Sequence, residues 1–462
     1  MSSASPDPSN TTPGDAVRVG VACTGTELGQ ELGTGAKRST GTPRPRRAAV
    51  VRHDLRAVWL DGIAWSIMVG MGETYFPAFA LGLGLDPVWA GLVATVPMVL
   101  GALLQLSAPV WLERWRSHRR LVVACAALQA ASCLPLAIGA WRGHMDATWL
   151  YAWVTVYWAA GLGTAPAWGT WVETIVPARV RIHYFARRNR MLYVFQVVGV
   201  VAAGWMLQVG GRTGHLMHAF ALVFLFAGLA RAISACLLAS QSEPTPMPEG
   251  MRAVGGRELL ARFAHGDDGR LILYMLALQL SAQVAIPFFT PYVLESLHFS
   301  YLEYTILLAA AVASRFVFLP WFGRIARGRG LRALLVVGGV TVPIASLLWA
   351  VSTRFEVLLV AQLFAGAAFA AYELASFLLL FQAVALRERT SILTTYHVAN
   401  SLAIFGGSML GAAILSEAGS GSRAFVVVFV VSAALRALTW PLLWRVRERR
   451  GNALKIPLSD VR

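Results

Sequence analysis

Apolar runs of about 20 residues recur along the chain between short polar breaks, and this pattern constrains the fold more than any other feature. A helix of about that length crosses the roughly 30 Å hydrocarbon core of a bilayer. Because hydrocarbon offers the backbone no hydrogen-bonding partner, the runs predict transmembrane helices. We number them spans 1 to 12; they occupy 57–82, 88–110, 120–141, 148–176, 190–210, 215–239, 270–296, 301–323, 331–351, 355–385, 392–416 and 423–444.

A polar stretch after span 6 separates the spans into two sets of six. It contains Pro244, Pro246 and Pro248 together with several charges. The first residues of the chain are rich in Ser, Thr, Gly and Pro, a composition typical of disordered segments. We therefore predict a disordered cytoplasmic tail at 1–50, an N-terminal six-helix bundle at 51–240, a cytoplasmic linker at 241–269, a C-terminal six-helix bundle at 270–446 and a cytoplasmic tail at 447–462.

Composition excludes the soluble classes of protein. Of the 462 residues, 56% are hydrophobic and only 14% are charged, which is too apolar for a soluble globular domain. The net charge of +16 would favour nucleic acid only if it were gathered on one soluble face, and here it is scattered between apolar runs. The four cysteines form no CxxC pair and have no neighbouring His cluster. We expect no nucleic-acid partner, no metal site and no cofactor.

The distribution of basic residues predicts the orientation. Most of the 40 Lys and Arg residues lie in the two tails and in the loops after even-numbered spans. The opposite loops hold only Arg142, Arg212, Arg354 and Arg423. Because Lys and Arg accumulate in cytoplasmic loops, both termini are expected in the cytoplasm and the chain in the cytoplasmic (inner) membrane.

Several features recur in both halves of the chain. Span 2 ends in Pro109-Val110-Trp111 before a basic loop, and span 8 ends in Pro320-Trp321 before another. Arg231 and Arg436 have similar places in spans 6 and 12. The recurrence indicates a duplicated six-helix unit, which is typical of secondary transporters with a substrate site near the bilayer midplane.

From about residue 52 to 450 the chain resembles the major facilitator superfamily. The resemblance rests on the loop after span 2, Pro109 through Arg120, in which the acid Glu113 and the following Arg114 match the family's signature in type. It implies an all-α polytopic membrane protein of two pseudo-symmetric six-helix bundles, with spans 1, 4, 7 and 10 around a central cavity. By the same resemblance, a cytoplasmic lock between the halves would contain Glu113, Arg114, Arg116 and Glu173. Alternatively, these are solvated charges of the positive-inside pattern.

Two acids inside spans are the foremost functional candidates. Glu73 lies in span 1 beside Gly70 and Gly72, and Glu373 lies near the middle of span 10. An ionisable group at the bilayer centre costs about 2.5–3.5 kcal/mol on insertion scales. Because burial favours a neutral carboxyl group and a nearby cation a charged one, both are candidates for proton coupling or for binding a cationic substrate. The alternative is a static pair with an arginine such as Arg315.

Aromatic and polar residues on the same spans complete the predicted site. Aromatic rings could stack on a ligand, although packing is an alternative for each. Polar groups at helical spacing could face the cavity or join helices. The set is Tyr75, Tyr372, Trp65, Trp168, Trp171, Gln196, Gln279, Gln283, His397 and Asn400.

Three further charged residues receive structural interpretations. Arg231 and Arg436 are expected to extend toward the cytoplasmic headgroups from outer spans, as long basic side chains do. Asp61, near the start of span 1, is expected to pair with a neighbour such as Arg56, with a gate residue as the alternative. Pro287 and Pro291 interrupt span 7 and predict a hinge there.

These features favour a secondary active transporter that moves a small solute across the membrane by alternating access, coupled to protons and acting as a monomer. The sequence contains no Walker motif, so ATP-driven transport by this chain is not expected. Two other classes stay open: a sensor or scaffold related to carriers, and a membrane-embedded transferase. The short outer loops disfavour the transferase, and we do not expect an enzyme.

Overall fold

The structure is a computed structural model, and it describes residues 44–105, 107–243, 267–383, 389–419 and 421–446. All secondary structure in these ranges is helical. Spans 3 to 6 are the single helices His118–Arg142, Ala147–Ile175, Ala178–Arg212 and Leu216–Ser240. Spans 8 to 11 are likewise Tyr301–Arg329, Leu331–Val351, Phe355–Ala383 and Arg389–Glu417. Four spans are interrupted; their helices are Arg44–Met71 and Phe76–Gly82 in span 1, Pro87–Leu92, Val96–Gln105 and Ala108–Trp115 in span 2, Asp267–Gln283 and Phe289–Pro291 in span 7, and Ser422–Ala437 and Trp440–Arg445 in span 12.

Among the described residues, ten helices are long and apolar enough to cross a membrane, and they correspond to every predicted span except 1 and 4. Span 1 consists of two helices separated by a break after Met71. Span 4 is a continuous helix of 29 residues, but its many Trp, Tyr, Thr and Gly residues lower its mean hydropathy. Both spans are therefore helical as predicted. The break makes the helices of span 1 too short in their apolar part to count as a crossing helix, and the composition of span 4 makes that helix too polar.

The predicted segments outside the spans are only partly described. The first helix begins at Arg44, so the expectation of a disordered segment through residue 50 is wrong for its last residues. Residues 1–43, most of the linker and the tail from 447 lie outside the described part. Asp267–Gln283 begins inside the predicted linker. All twelve spans belong to one compact unit that begins at Ala48, and the domain boundaries stay predictions.

Spans 1 to 6 pack together as one bundle and spans 7 to 12 as the other. In the first bundle span 3 packs against spans 4 and 6, and span 2 against span 4. In the second, span 9 packs against spans 10 and 12, and span 7 against span 11. The predicted fold class, an all-α polytopic protein of two pseudo-symmetric six-helix bundles, is confirmed.

The first span of each bundle is interrupted at an equivalent place. A short 3-10 helix, Glu73–Tyr75, precedes the helix that begins at Phe76, and another, Ile286–Phe288, precedes the helix that begins at Phe289. Pro77 is the second residue of the helix that follows the first break, and Pro287 is the second residue of the 3-10 helix in span 7. Proline lacks a backbone N–H, so it is tolerated in the first turn of a helical segment and favours the start of a new segment at each break. Span 7 then finishes in a π-helix, Tyr292–Ser296. Its backbone is irregular around Pro287 and Pro291, and the hinge stays a prediction.

The two bundles meet at the ends of the spans opposite to the chain termini, which we call the distal side. The Tyr75 hydroxyl lies 3.0 Å from Thr305 Oγ1 and donates to the Val200 carbonyl oxygen at 2.7 Å. Nearby, the Leu302 N–H donates to Gln208 Oε1 at 2.9 Å. Spans 1 and 5 of the first bundle thereby bind span 8 of the second, and the distal side is closed.

Close approach at this contact depends on glycines. A Cβ added to Gly204 of span 5 would lie 1.7 Å from Thr305 Oγ1 and 2.5 Å from Thr305 Cβ on span 8. A Cβ added to Gly91 of span 2 would lie 2.9 Å from the Pro287 carbonyl oxygen. Since a Cβ is fixed to the backbone, no rotamer relieves these overlaps. Glycine at both positions is required for the closed distal side.

We predict that Gly204→Ala opens the distal side, because the added methyl group cannot coexist with Thr305 at the observed distance. Spin labels at exposed positions 142 and 354, in a background without native cysteines, would report the distance between the bundles. The variant should populate longer distances than the parent.

The matched control is Gly211→Ala on the same helix, where the added Cβ would meet Tyr301 at an ordinary 3.9 Å. It should leave the distance distribution unchanged. Adding Thr305→Gly to Gly204→Ala should restore short distances. Identical distributions for Gly204→Ala and the parent would show that the distal contact is not as close as described.

Candidate functional site

A cavity of about 530 Å³ lies between the two bundles, on the terminal side of the distal contact. The first bundle contributes Glu73, Met98 and Trp158 to its wall. The second contributes a larger share; its polar and aromatic lining residues are Gln283, Phe289, Thr290, Tyr304, Arg315, Ser346, Trp349, Gln362, Phe369, Phe429 and Arg436. This volume is within the range of small-molecule sites, and the few polar groups among aromatic rings are typical of them.

Glu73 is the one carboxylate among the described residues that line this cavity. It begins the 3-10 helix that interrupts span 1, so the break places its side chain at the cavity wall. The Tyr157 hydroxyl lies 3.2 Å from Glu73 Oε2 and 2.7 Å from Met68 Sδ. In the part of the chain that the structure describes, no basic side chain lies within ion-pair distance of Glu73.

Glu373 differs, because it has a cation beside it. Arg315 Nη1 lies 3.2 Å and 3.3 Å from the two carboxylate oxygens of Glu373. The side chains are 35% and 49% exposed, so solvent screens the pair. Spans 8 and 10 are thereby joined, and the structure brings Glu373 together with Arg315, the predicted alternative for these acids.

Arg436 lines the cavity from span 12 although only 3% of it is exposed. Its Nη1 donates to the Val342 carbonyl oxygen at 3.3 Å and its Nη2 to that of Ala282 at 3.1 Å. Its guanidinium carbon lies 5.9 Å from the ring centre of Phe369. The expectation that Arg436 extends to the headgroups is wrong, because neighbouring carbonyl groups bind it inside the bundle.

Arg231 is also buried, and a network of hydrogen bonds explains why. Its Nη1 donates to Ser234 Oγ at 2.7 Å, and Ser234 Oγ donates to Asp61 Oδ1 at 2.5 Å. Arg188 Nη2 approaches Asp61 Oδ2 at 3.8 Å and its guanidinium stacks on Trp168 at 4.6 Å. Arg231 therefore does not extend to the headgroups, and Asp61 pairs with spans 5 and 6 instead of Arg56. Sequence spacing could not reveal partners that lie on other helices.

The other predicted site residues divide by location. Gln283 lines the cavity. Tyr75 is buried in the distal contact, and the Tyr372 hydroxyl donates to the Met275 carbonyl oxygen at 3.4 Å. Trp171 is 1% exposed and donates to the Ser242 carbonyl oxygen, which supports its packing interpretation. Trp65 and His397 are exposed, whereas Gln196, Gln279 and Asn400 are half-buried; none of them is among the cavity-lining residues.

The residues predicted as a lock lie at the terminal side. Arg114 and Arg116 are exposed, and Arg116 has a φ of 48° where its helix ends. Glu173 is exposed near the end of span 4. The side chain of Glu113 lies outside the described part. The lock of these four residues stays a prediction.

A different contact at this side escaped the sequence interpretation. Glu243, at the start of the linker, accepts hydrogen bonds from Ser117 Oγ at 2.6 Å and from the His118 N–H at 2.8 Å. The hydroxyl of Ser242 donates to Asp54 of span 1. The linker start therefore binds the first bundle at the N-terminus of span 3, where the helix dipole favours a carboxylate.

Three cavity residues, and Tyr157 behind the cavity residue Glu73, carried no sequence signal that separated them from packing residues. Tyr157 and Trp158 lie in a span with many aromatic residues, and Phe369 and Trp349 are ordinary apolar positions by composition. Only their contacts show that Tyr157 approaches Glu73 and that Phe369 lies beside two guanidinium groups.

Comparison with known protein families and solved structures supports this architecture. A model of the Major Facilitator Superfamily matches residues 271–461. The predicted resemblance to the major facilitator superfamily is confirmed. A search of curated protein sequences finds no match.

Solved structures of transporters are similar to most of the chain in fold. The nucleoside transporter NupG has a TM-score of 0.65 at 12% identity, with 86% of this chain and 100% of that chain covered. An inward-facing, unoccupied bacterial homologue of the human lysosomal transporter Spinster has a TM-score of 0.64 at 15% identity, over 89% and 100%. The xylose transporter XylE from E. coli, in a partially occluded inward-open conformation, has 0.61 at 14% identity, over 87% and 99%. At these identities the similarity establishes the fold and leaves the solute open.

The buried network of Asp61, Ser234 and Arg231 predicts a stability effect. Ser234→Ala removes the hydroxyl that bridges two buried charged groups, and we expect the free energy of unfolding to fall by about 1–3 kcal/mol. Denaturant titration of the purified protein in detergent measures it. Ser240→Ala, on the same helix, is the control because its hydroxyl is exposed. Equal stability of the two variants would contradict a structural role for the bridge.

Proposed function

We propose that the protein is a secondary active transporter that moves a small solute across the cytoplasmic membrane by alternating access. The cavity between the bundles carries the proposal, because its wall combines residues of both halves with one carboxylate and several aromatic rings. A rocking motion of one bundle against the other would change which side reaches this cavity.

In the proposed alternating-access cycle, this structure is the state in which the distal side is closed. The contact between Tyr75 and Thr305 joins the bundles at the distal side, and solved inward-facing carriers have a similar fold. In this proposal the terminal side is cytoplasmic, as the basic loops predict. Breaking the distal contact and closing the terminal side, where Glu113, Arg114, Arg116 and Glu173 would lock, produces the outward-facing state.

Glu73 is our candidate for proton coupling. It lacks a described cation partner, so its charge depends on solvent and on Tyr157, whereas Glu373 has Arg315 to stabilise its charge. A carboxyl group without a cation takes up a proton more readily in an apolar surrounding. Protonation of Glu73 would remove the charge from the first bundle's share of the cavity wall and favour reorientation.

The test uses purified protein in liposomes that are given an external metabolite mixture and an imposed pH gradient. The parent should concentrate at least one component, identified by mass spectrometry of the liposome contents. Glu73→Gln should lose accumulation against the gradient and keep exchange of the same component, because glutamine resembles a permanently protonated glutamate.

The control is Glu417→Gln, an exposed acid at the end of span 11, which should accumulate solute like the parent. Glu373→Gln should lower transport by leaving Arg315 unpaired, without making it independent of the gradient. Accumulation of no component by the parent would favour the sensor or scaffold class. Normal accumulation by Glu73→Gln would assign coupling to another group.

A further inference from the structure

Arg436 is a buried cation with no carboxylate beside it. Only 3% of the residue is exposed, and no acid in the described ranges lies within ion-pair distance. Two of its N–H groups meet backbone carbonyl oxygens, and its Nε is buried without a hydrogen-bond partner. A guanidinium has five N–H donors, so most of its hydrogen-bonding capacity is unused. Such a group is costly unless an anion reaches it.

The first bundle shows how the same position can be neutralised. Arg231 is buried to the same extent, and it connects through Ser234 to Asp61. When the two 3-10 helices are aligned, Asp61 precedes Glu73 by the same number of residues as Tyr274 precedes Ile286. The second bundle therefore has a tyrosine where the first has the acid. Its arginine lines the cavity instead of being neutralised within the bundle.

The surroundings of Arg436 form a cationic end of the cavity. The ring centre of Phe369 lies 5.9 Å from the guanidinium carbon of Arg436 and 6.0 Å from that of Arg315. Both arginines and Phe369 line the cavity. Gln283, from span 7, also lines it and has a buried side-chain oxygen without a partner. Glu373 neutralises Arg315, which leaves the positive charge of Arg436 uncompensated.

We propose that Arg436 is an anion subsite, and that the solute is an organic anion whose carboxylate binds this guanidinium while its apolar body packs against the aromatic wall. This assignment rests on the proposed transport function and names its substrate class. In the proposed complex, the unpartnered Nε and the second N–H of a neighbouring Nη donate two hydrogen bonds to one carboxylate. Trp349, Phe289 and Phe369 provide apolar surface in the same cavity.

An organic anion as the solute also agrees with the proposed role of Glu73 in proton coupling. A monovalent anion bound at Arg436 that crosses the membrane together with one proton on Glu73 transfers no net charge. Cations would instead meet the uncompensated charge of Arg436 in the same cavity. The two proposed sites lie on different bundles, so solute and proton could both be retained while the bundles rock.

The experiment compares three probes with the same ring: 2-naphthoate, 2-naphthamide and 2-naphthylmethylamine. Equilibrium dialysis against the purified full-length protein measures binding without requiring transport. The parent should prefer the carboxylate to the amide. Arg436→Gln should lower naphthoate affinity about tenfold or more, the effect expected for losing a hydrogen bond to a charged group, with little change for naphthamide.

Arg231→Gln is the matched control, because it removes a buried arginine that does not line the cavity; it should keep the preference for naphthoate. Arg436→Lys retains the charge and should keep part of the preference, which guards against a folding defect in Arg436→Gln. Equal binding of the three probes, no binding of any, preference for the amine, or an unchanged preference in Arg436→Gln would overturn the subsite. Because dialysis requires no flux, each of these results leaves the liposome test of transport standing.

Discussion

Backbone hydrogen bonding in hydrocarbon is the constraint on which the rest of this structure depends. Because lipid cannot satisfy an N–H or C=O group, each span must be helical, and departures from helix must face protein or a cavity. Both first spans depart at 3-10 helices, Glu73–Tyr75 and Ile286–Phe288. These breaks position Glu73 at the cavity and Tyr75 in the distal contact. The irregular backbone therefore coincides with the site.

The architecture could be predicted from the sequence because it follows from the pattern of hydropathy and charge along the whole chain. Twelve apolar runs, the basic loops and the recurrence of Arg231 as Arg436 depend only on composition and spacing, so the duplicated bundle could be predicted. The break in span 7 was also readable, because Pro287 removes a backbone donor wherever it lies. Helix ends were less accessible, as Arg44 shows, since ends depend on local contacts that hydropathy does not report.

Side-chain partners could not be predicted, because they lie on helices whose relative rotation the sequence does not encode locally. The prediction that Arg315 could pair with an acid did not distinguish Glu73 from Glu373, and only the 3.2 Å contact selects Glu373. The predicted partner of Asp61, Arg56, was wrong for the same reason, because the observed partner Ser234 is distant in sequence and adjacent in the bundle. Tyr157 escaped notice because aromatic residues fill span 4 for packing as well.

Duplication makes the differences between the bundles informative. Two equivalent arginines are buried to the same degree, and one of them is neutralised through Ser234 by an acid of its own bundle. If both served only to join helices, each bundle would gain by retaining its acid, since an unpaired buried charge is destabilising. The second bundle has Tyr274 at the equivalent position, and its arginine lines the cavity. An unpaired buried charge next to a cavity is destabilising in the empty protein, and it is the expected property of a site where a solute of opposite charge binds.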